Sequence, residues 1–134
     1  IRALAQGAPN IEIRGHVPAR AVVEALQTAR AFVYAGEEDF GISMVEAQAC
    51  GTPVIAYGRG GACDIIRDGE TGVLFPEQTV DSIIAAVTRF ESSDQWTAEI
   101  CRNNAERFSN AMFRKRLTGL VDEQWNAFMS TDSK

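Results

Sequence analysis

Glu38-Asp-Phe-Gly-Ile-Ser-Met-Val-Glu46-Ala-Gln-Ala-Cys-Gly-Thr-Pro-Val-Ile-Ala56 is the stretch from which the rest of the chain can be read. An apolar run, Ala31-Phe-Val-Tyr34, precedes it, and its own end belongs to a second, Pro53-Val-Ile-Ala-Tyr57. A strand, a turn with glycine at its corner, a helix stopped at Gly51 and another strand make one βαβ unit. Continuous apolar character suits parallel strands buried on both faces. A helix opening near Gly41 directs its first free backbone N–H groups out of the turn, where a phosphate or sugar oxygen can meet them. Gly41 has no Cβ, so a ligand can come close to the backbone there.

Two carboxylates, Glu38 and Glu46, stand eight positions apart. The helix neighbours of Glu46 are Ile42, Ser43, Ala49 and Cys50, none of them a cation. Such a carboxylate either faces water or takes a hydrogen-bond donor, and the hydroxyls of a sugar or ribose would serve. Glu38 precedes the helix, where the positive end of the dipole favours an anion. On spacing alone, a helix-terminal charge and a surface glutamate explain the pair as well as a ligand does.

Before this unit, Ile11-Glu-Ile-Arg-Gly15 alternates apolar and charged residues, which predicts a short strand followed by the loop His16-Val17-Pro18. Residues 1–10 read as a helix end and a turn at Gly7-Ala-Pro9-Asn10, and Ala19–Ala29 as a helix covering the sheet. After it, Gly58-Arg59-Gly60-Gly61 is a glycine-rich loop leading into a short helix over Ala62–Arg67, then a turn and the strand Val73–Phe75. Thr79–Phe90, Gln95–Phe108 and Ala111–Met129 show helical spacing, and Ser130–Lys134 is a polar tail expected to fray. The stripe Phe113, Leu117, Leu120 and Val121 is expected in the core, with the cysteines and methionines. Strands alternating with helices predict an α/β domain with a parallel sheet, whose ligands bind beyond the C-terminal strand ends. The loops at Gly15–Pro18, Glu37–Ile42 and Gly58–Gly61 all fall there.

A chain of 134 residues can bury a core, and 46% hydrophobic with 23% charged residues is ordinary globular composition. A net charge of −5 argues against a general nucleic-acid or anionic-membrane binder. No apolar run reaches the roughly 20 residues of a membrane span, and no leader pattern opens the chain. Cys50, Cys63 and Cys101 lack metal-ligand spacing and read as reduced thiols, which predicts a cytoplasmic protein. The basic run Arg114-Lys115-Arg116 could meet a membrane or an anionic carrier lipid. A solvated helix face is the simpler reading, because neighbouring acids offset it.

The residues Glu38, Phe40, Gly41, Glu46, Ala47, Ala49, Gly51, Pro53, Val54 and Ile55 resemble the E-x7-E signature of group 1 (family 4) retaining glycosyltransferases of the GT-B fold. The match continues through Gly60-Gly61, Asp64-Ile-Ile66, Asp68-Gly69 and Thr71-Gly72-Val-Leu74, covering about residues 10–90, with Asp64 standing where the family more often has Glu. The resemblance implies a Rossmann-like parallel sheet with flanking helices, the truncated C-terminal half of a GT-B glycosyltransferase. Residues 1–134 would be one partial nucleotide-sugar-binding domain with C-terminal helices at about 95–129. In the usual 3-2-1-4-5-6 order, two absent strands would lie between Ile11–Arg14 and Ala31–Tyr34.

By the same resemblance, Glu38 would be the catalytic-site carboxylate on the donor sugar, and the backbone of Phe40, Gly41, Ile42 and Ser43 would hold sugar and diphosphate. Glu46 would take the ribose hydroxyls, Gly60 and Gly61 would lie near the diphosphate, and His16 and Val17 would edge the base. The implied donor is a UDP-, GDP- or ADP-sugar, with mannosyl transfer into polysaccharide or lipid-linked glycan as the narrower reading. No metal or cofactor is expected, in keeping with the lack of an Asp-x-Asp. The family's diphosphate-binding Arg and Lys and its N-terminal acceptor domain have no counterpart here, so this chain alone would be incomplete for catalysis; a homo-oligomer stays open. The other readings are a sugar-nucleotide epimerase of the same fold and a non-catalytic nucleotide-sugar-binding module.

Overall fold

The structure is a computed structural model and describes residues 2–5 and 7–131. Its elements run α1 (Arg2–Ala5), α2 (Ala19–Thr28), β1 (Phe32–Tyr34), α3 (Ile42–Ala49), β2 (Val54–Tyr57), α4 (Gly61–Ile65), β3 (Gly72–Phe75), α5 (Val80–Glu91) and α6 (Ala98–Ala105). A 3-10 turn (Glu106–Phe108) then leads into α7 (Asn110–Thr131).

The three strands form one parallel sheet in the order β1-β2-β3, with Phe32 opposite Val54 and Val54 opposite Gly72. The period-2 alternation of β2 sorts the core. Val54 and Ala56 point to one face, with Met44, Ala47, Ala62, Ile65 and Ile66 from α3 and the α4 region. Ile55 points to the other, with Val73, Phe75, Ala86 and Phe90, so α5 covers that side. A mixed α/β domain with helices on both sheet faces follows, as the sequence pattern requires.

Local chemistry sets the ends of the key helices. α3 stops at Gly51, whose φ of +91° is a left-handed conformation. There the Gly51 N–H donates to the Gln48 C=O at 2.8 Å and the Thr52 N–H to the Ala47 C=O at 2.9 Å, the paired bonds that close a helix. At the start of α5, the Thr79 hydroxyl accepts the Ser82 N–H at 3.2 Å.

The expected strand at Ile11–Gly15 is not formed; these residues are unpaired coil with Ile11 and Ile13 exposed. A strand needs a neighbour for its N–H and C=O groups. In the described residues nothing pairs with the outer edge of β1. The same open edge explains α2, which has no buried residue and reaches the core through half-buried Leu26, whose C=O accepts the Thr52 hydroxyl. The stripe on α7 is also not core: Phe113 is 63% exposed, and Leu117, Leu120 and Val121 are exposed with it. That helix leaves the sheet and is held at its start, next to the 3-10 turn. The helix expected from Gln95 begins instead at Ala98, because the Thr97 hydroxyl caps the Ile100 N–H and Trp96 stacks on Phe90. Of the expected polar tail, Ser130 and Thr131 are helical, while 132–134 lie outside the described residues, as do Ile1 and Gln6 at the other end. No helix among the described residues is long and apolar enough to cross a membrane.

Of the three free thiols, Cys101 is buried and Cys63 exposed. Burial pushes the Cys101 thiol up from 9.0 to about 11, against the opposing pull of the Arg102 charge. A thiol reagent at neutral pH is expected to modify Cys63 and spare Cys101 until the protein unfolds. Because the folded value lies above the unfolded one, the stability tied to the neutral thiol is complete below pH 9 and is lost as pH rises toward 11. Mass spectrometry of the modified protein checks the first outcome and Tm against pH the second; equal labelling of both thiols in folded protein would contradict the packing.

Candidate functional site

The loops at the C-terminal ends of β1 and β2 meet backbone to backbone. The Gly61 N–H donates to the Glu38 C=O at 2.7 Å. A Cβ on Gly61 would fall 2.0 Å from the Phe40 carbonyl oxygen, and one on Gly60 2.3 Å from that of Glu38. No side chain fits at either position, so the glycine-rich loop is seated on the Glu38–Phe40 turn. Arg59, in the same loop, is exposed.

Glu38 is fixed from behind by a residue that sequence reasoning passed over. The Tyr34 hydroxyl donates to Glu38 Oε1 at 2.8 Å. That bond, then lost hydration and the carboxylate's charge, push the Tyr34 phenol above its ordinary range. The signal was present: a tyrosine ends the strand four residues before the carboxylate.

The mouth of α3 is open. Gly41 takes a left-handed conformation at φ 92°, and its C=O accepts the Met44 N–H at 3.0 Å and the Val45 N–H at 3.4 Å. The Ile42 and Ser43 N–H groups have no acceptor among the described residues. Ile42 is 64% and Phe40 54% exposed, so their side chains do not close the opening. Met44, Ala47 and Gln48 form the buried face of α3, while Ile42, Glu46 and Ala49 line its exposed one. The Glu46 carboxylate has no bonded partner among the described residues.

A buried amide pair sets the rotation of α3. Asn104 Nδ2 donates to Gln48 Oε1 and to the Ile65 C=O, both at 2.6 Å, and Gln48 Nε2 donates to Thr71 Oγ1 at 3.3 Å. Arg107 in turn donates to Asn104 Oδ1 at 2.8 Å. These bonds join α3 to α6 and α4, which directs Glu46 away from the core.

Glu38, Phe40, Gly41, Ile42, Ser43, Gly60 and Gly61 therefore share one junction, with Glu46 one turn further along α3. His16 and Val17 lie in the coil before α2, and no hydrogen bond joins them to it. A depression of about 420 Å³ lies elsewhere, between the turn entering β3 and α6. Its polar groups are spent within the chain: Gln95 donates to the Gly69 C=O, Arg67 pairs with Glu70 at 3.7 Å, and Asn104 belongs to the amide pair. The junction, with free donors, has more to offer a ligand. No cluster of three or more His, Cys, Asp or Glu that could hold a metal occurs among the described residues.

The sequence model of the family described as glycosyl transferases group 1 matches residues 2–108. Over 85 residues the chain is 33% identical to the D-inositol 3-phosphate glycosyltransferase of Nocardiopsis dassonvillei, covering 63% of this chain and 20% of that protein. Over 50 residues it is 50% identical to the protein of the same name from Mycobacterium marinum, covering 37% of this chain and 11% of that one. Sucrose-phosphate synthase from Thermosynechococcus elongatus superposes with a TM-score of 0.72 at 26% identity, over 94% of this chain and 34% of that one. A pneumococcal O-GlcNAc transferase solved with UDP and GlcNAc shares the fold, with a TM-score of 0.65 at 20% identity over 91% of this chain and 26% of that one. The chain thus spans a fifth or less of the length of these two curated relatives.

Proposed function

The chain belongs to the glycosyl transferases of group 1, and from that premise we propose that its Glu38–Gly61 junction is the seat of a nucleotide-diphosphate sugar donor. The observation that carries the reading is the pair of free N–H groups, Ile42 and Ser43, opening beside a carboxylate clamped by Tyr34 and Gly61. Transfer of the sugar breaks its bond to the diphosphate, and negative charge develops on the leaving oxygen. Fixed N–H donors at a helix N-terminus stabilise such charge without reorganising. The Phe40–Ser43 backbone holds sugar and diphosphate, and Gly60 and Gly61 let the diphosphate lie against main chain. Glu38 accepts hydrogen bonds from the sugar hydroxyls, and Glu46 from the ribose. His16 and Val17 edge the base.

In this reading the transfer is retaining and needs no metal, as in family 4 of the GT-B enzymes, and the acceptor is held by a separate N-terminal domain. The donor is a UDP-, GDP- or ADP-sugar, with mannosyl transfer into polysaccharide or lipid-linked glycan the narrower proposal. Free thiols fit work in the reducing cytoplasm. One observation favours a binding module instead: among the described residues no Lys or Arg side chain is bonded to the junction. Release of nucleoside diphosphate over time separates the two, since a module binds donor without turning it over.

Calorimetric titration with UDP-glucose, GDP-mannose and ADP-glucose tests the donor site. One of them is expected to bind, and Glu46→Ala to weaken that binding by about 1.5–3 kcal/mol, the range of a hydrogen bond to a charged group. Unchanged affinity in this variant would remove Glu46 from the site.

A further inference from the structure

Next to the junction, on the outer side of Phe40, the 3-10 turn and the start of α7 enclose a groove of about 330 Å³. Phe40, Phe108, Phe113, Leu117 and Leu120 make its wall, and Arg107 and Arg116 are the charged residues that line it. Leu120 is shared with a second groove of about 550 Å³, which continues along α7 over Val121, Trp125 and Phe128. From Leu120 to Phe128 this apolar track runs about 12 Å at helical rise.

Neither arginine is neutralised by a carboxylate among the described residues. Arg107 is half-buried and donates to Asn104 Oδ1 at 2.8 Å and to the Asp64 C=O at 3.4 Å, and its guanidinium lies 5.2 Å from the Phe108 ring centre. All three partners are uncharged. Arg116 is exposed and has no bonded partner among the described residues. Two uncompensated guanidiniums therefore stand at one end of a hydrocarbon track that is exposed along its length, with Trp125 60% exposed. Guanidinium matches the geometry of a phosphate, and the aromatic and aliphatic wall matches an acyl or prenyl chain.

We propose that this groove binds a single-chain lipid phosphate, its head between Arg107 and Arg116 and its tail over Leu120 toward Phe128. The site is separate from the donor junction and does not depend on the donor reading. Decyl phosphate, decanol and inorganic phosphate, titrated calorimetrically into the protein, test it. Decyl phosphate is expected to bind, decanol at least about tenfold more weakly, and inorganic phosphate not detectably. Arg116→Gln, an exposed change that should leave the near-ultraviolet circular dichroism intact, is expected to weaken decyl phosphate about tenfold or more while leaving decanol unaffected. Equal affinity for decyl phosphate and decanol, full affinity in Arg116→Gln, or no binding because other protein covers α7 would each overturn the proposal. Capture by phosphatidylglycerol vesicles without a response to decyl phosphate would assign the face to a membrane surface, and a dimer that decyl phosphate does not dissociate would assign it to a second copy. Nucleotide-sugar binding in the same samples reports on the junction alone and is expected to survive Arg116→Gln.

Discussion

Gly61→Ala is expected to destabilise the protein by about 3 kcal/mol and to abolish nucleotide-sugar binding in whatever fraction stays folded. The new methyl group would lie 2.0 Å from the Phe40 carbonyl oxygen and 2.5 Å from its carbon. Both are backbone atoms, so no side chain can rotate away. Relief requires the glycine-rich loop to lift off the Glu38–Phe40 turn, which breaks the 2.7 Å bond from the Gly61 N–H to the Glu38 C=O. Overpacking costs about 1–3 kcal/mol and the lost bond about 1 more. The functional loss is the larger effect, because separating the loops moves Glu38 from the mouth of α3. Urea denaturation and calorimetry measure the two parts. Native stability with native binding would mean that the loops do not touch.

Asn104→Leu is expected to cost about 3–5 kcal/mol, a large share of the ~5–15 kcal/mol typical of a domain. Leucine is close in volume, so packing is not the main loss. Gln48 Oε1 and the Ile65 C=O each lose a 2.6 Å donor, and Arg107 loses its 2.8 Å acceptor. A buried polar group left unsatisfied costs about 1–3 kcal/mol, and the amide oxygen of Gln48 is fully buried. Adding Gln48→Met should recover part of the loss, since it removes one of the orphaned groups. Denaturant midpoints of the two single variants and the double variant give the coupling. A change below about 1 kcal/mol in Asn104→Leu would show that this amide pair does not hold α3.

The βαβ unit was legible because each of its parts obeys a local rule. β2 is a continuous apolar run buried on both faces, and Gly51 sits where a helix must end in a left-handed residue. Thr79 announced α5 for the same kind of reason. What was not legible depends on what lies opposite. The alternation of Ile11–Gly15 is that of a strand, but pairing needs a neighbour that residues 2–5 and 7–131 do not place beside it. Helical periodicity on α7 marks an apolar face without saying what covers it. The Gln48–Asn104 bond joins residues 56 positions apart, beyond any local pattern. Within the candidate site, the glycine corner and the two glutamates could be read from the chain; Tyr34 behind Glu38, and the seating of Gly61 on Phe40, emerged only in three dimensions.

The donor junction is tested most directly by backbone amide NMR of the protein titrated with the nucleotide sugar that calorimetry selects. Ile42 and Ser43, whose N–H groups are free, and Gly60 and Gly61 are expected to shift first and most, with saturation at the calorimetric Kd. Shifts confined to the depression between Arg67 and Asn104, or none at saturating ligand in a fully folded sample, would contradict a donor site at the mouth of α3.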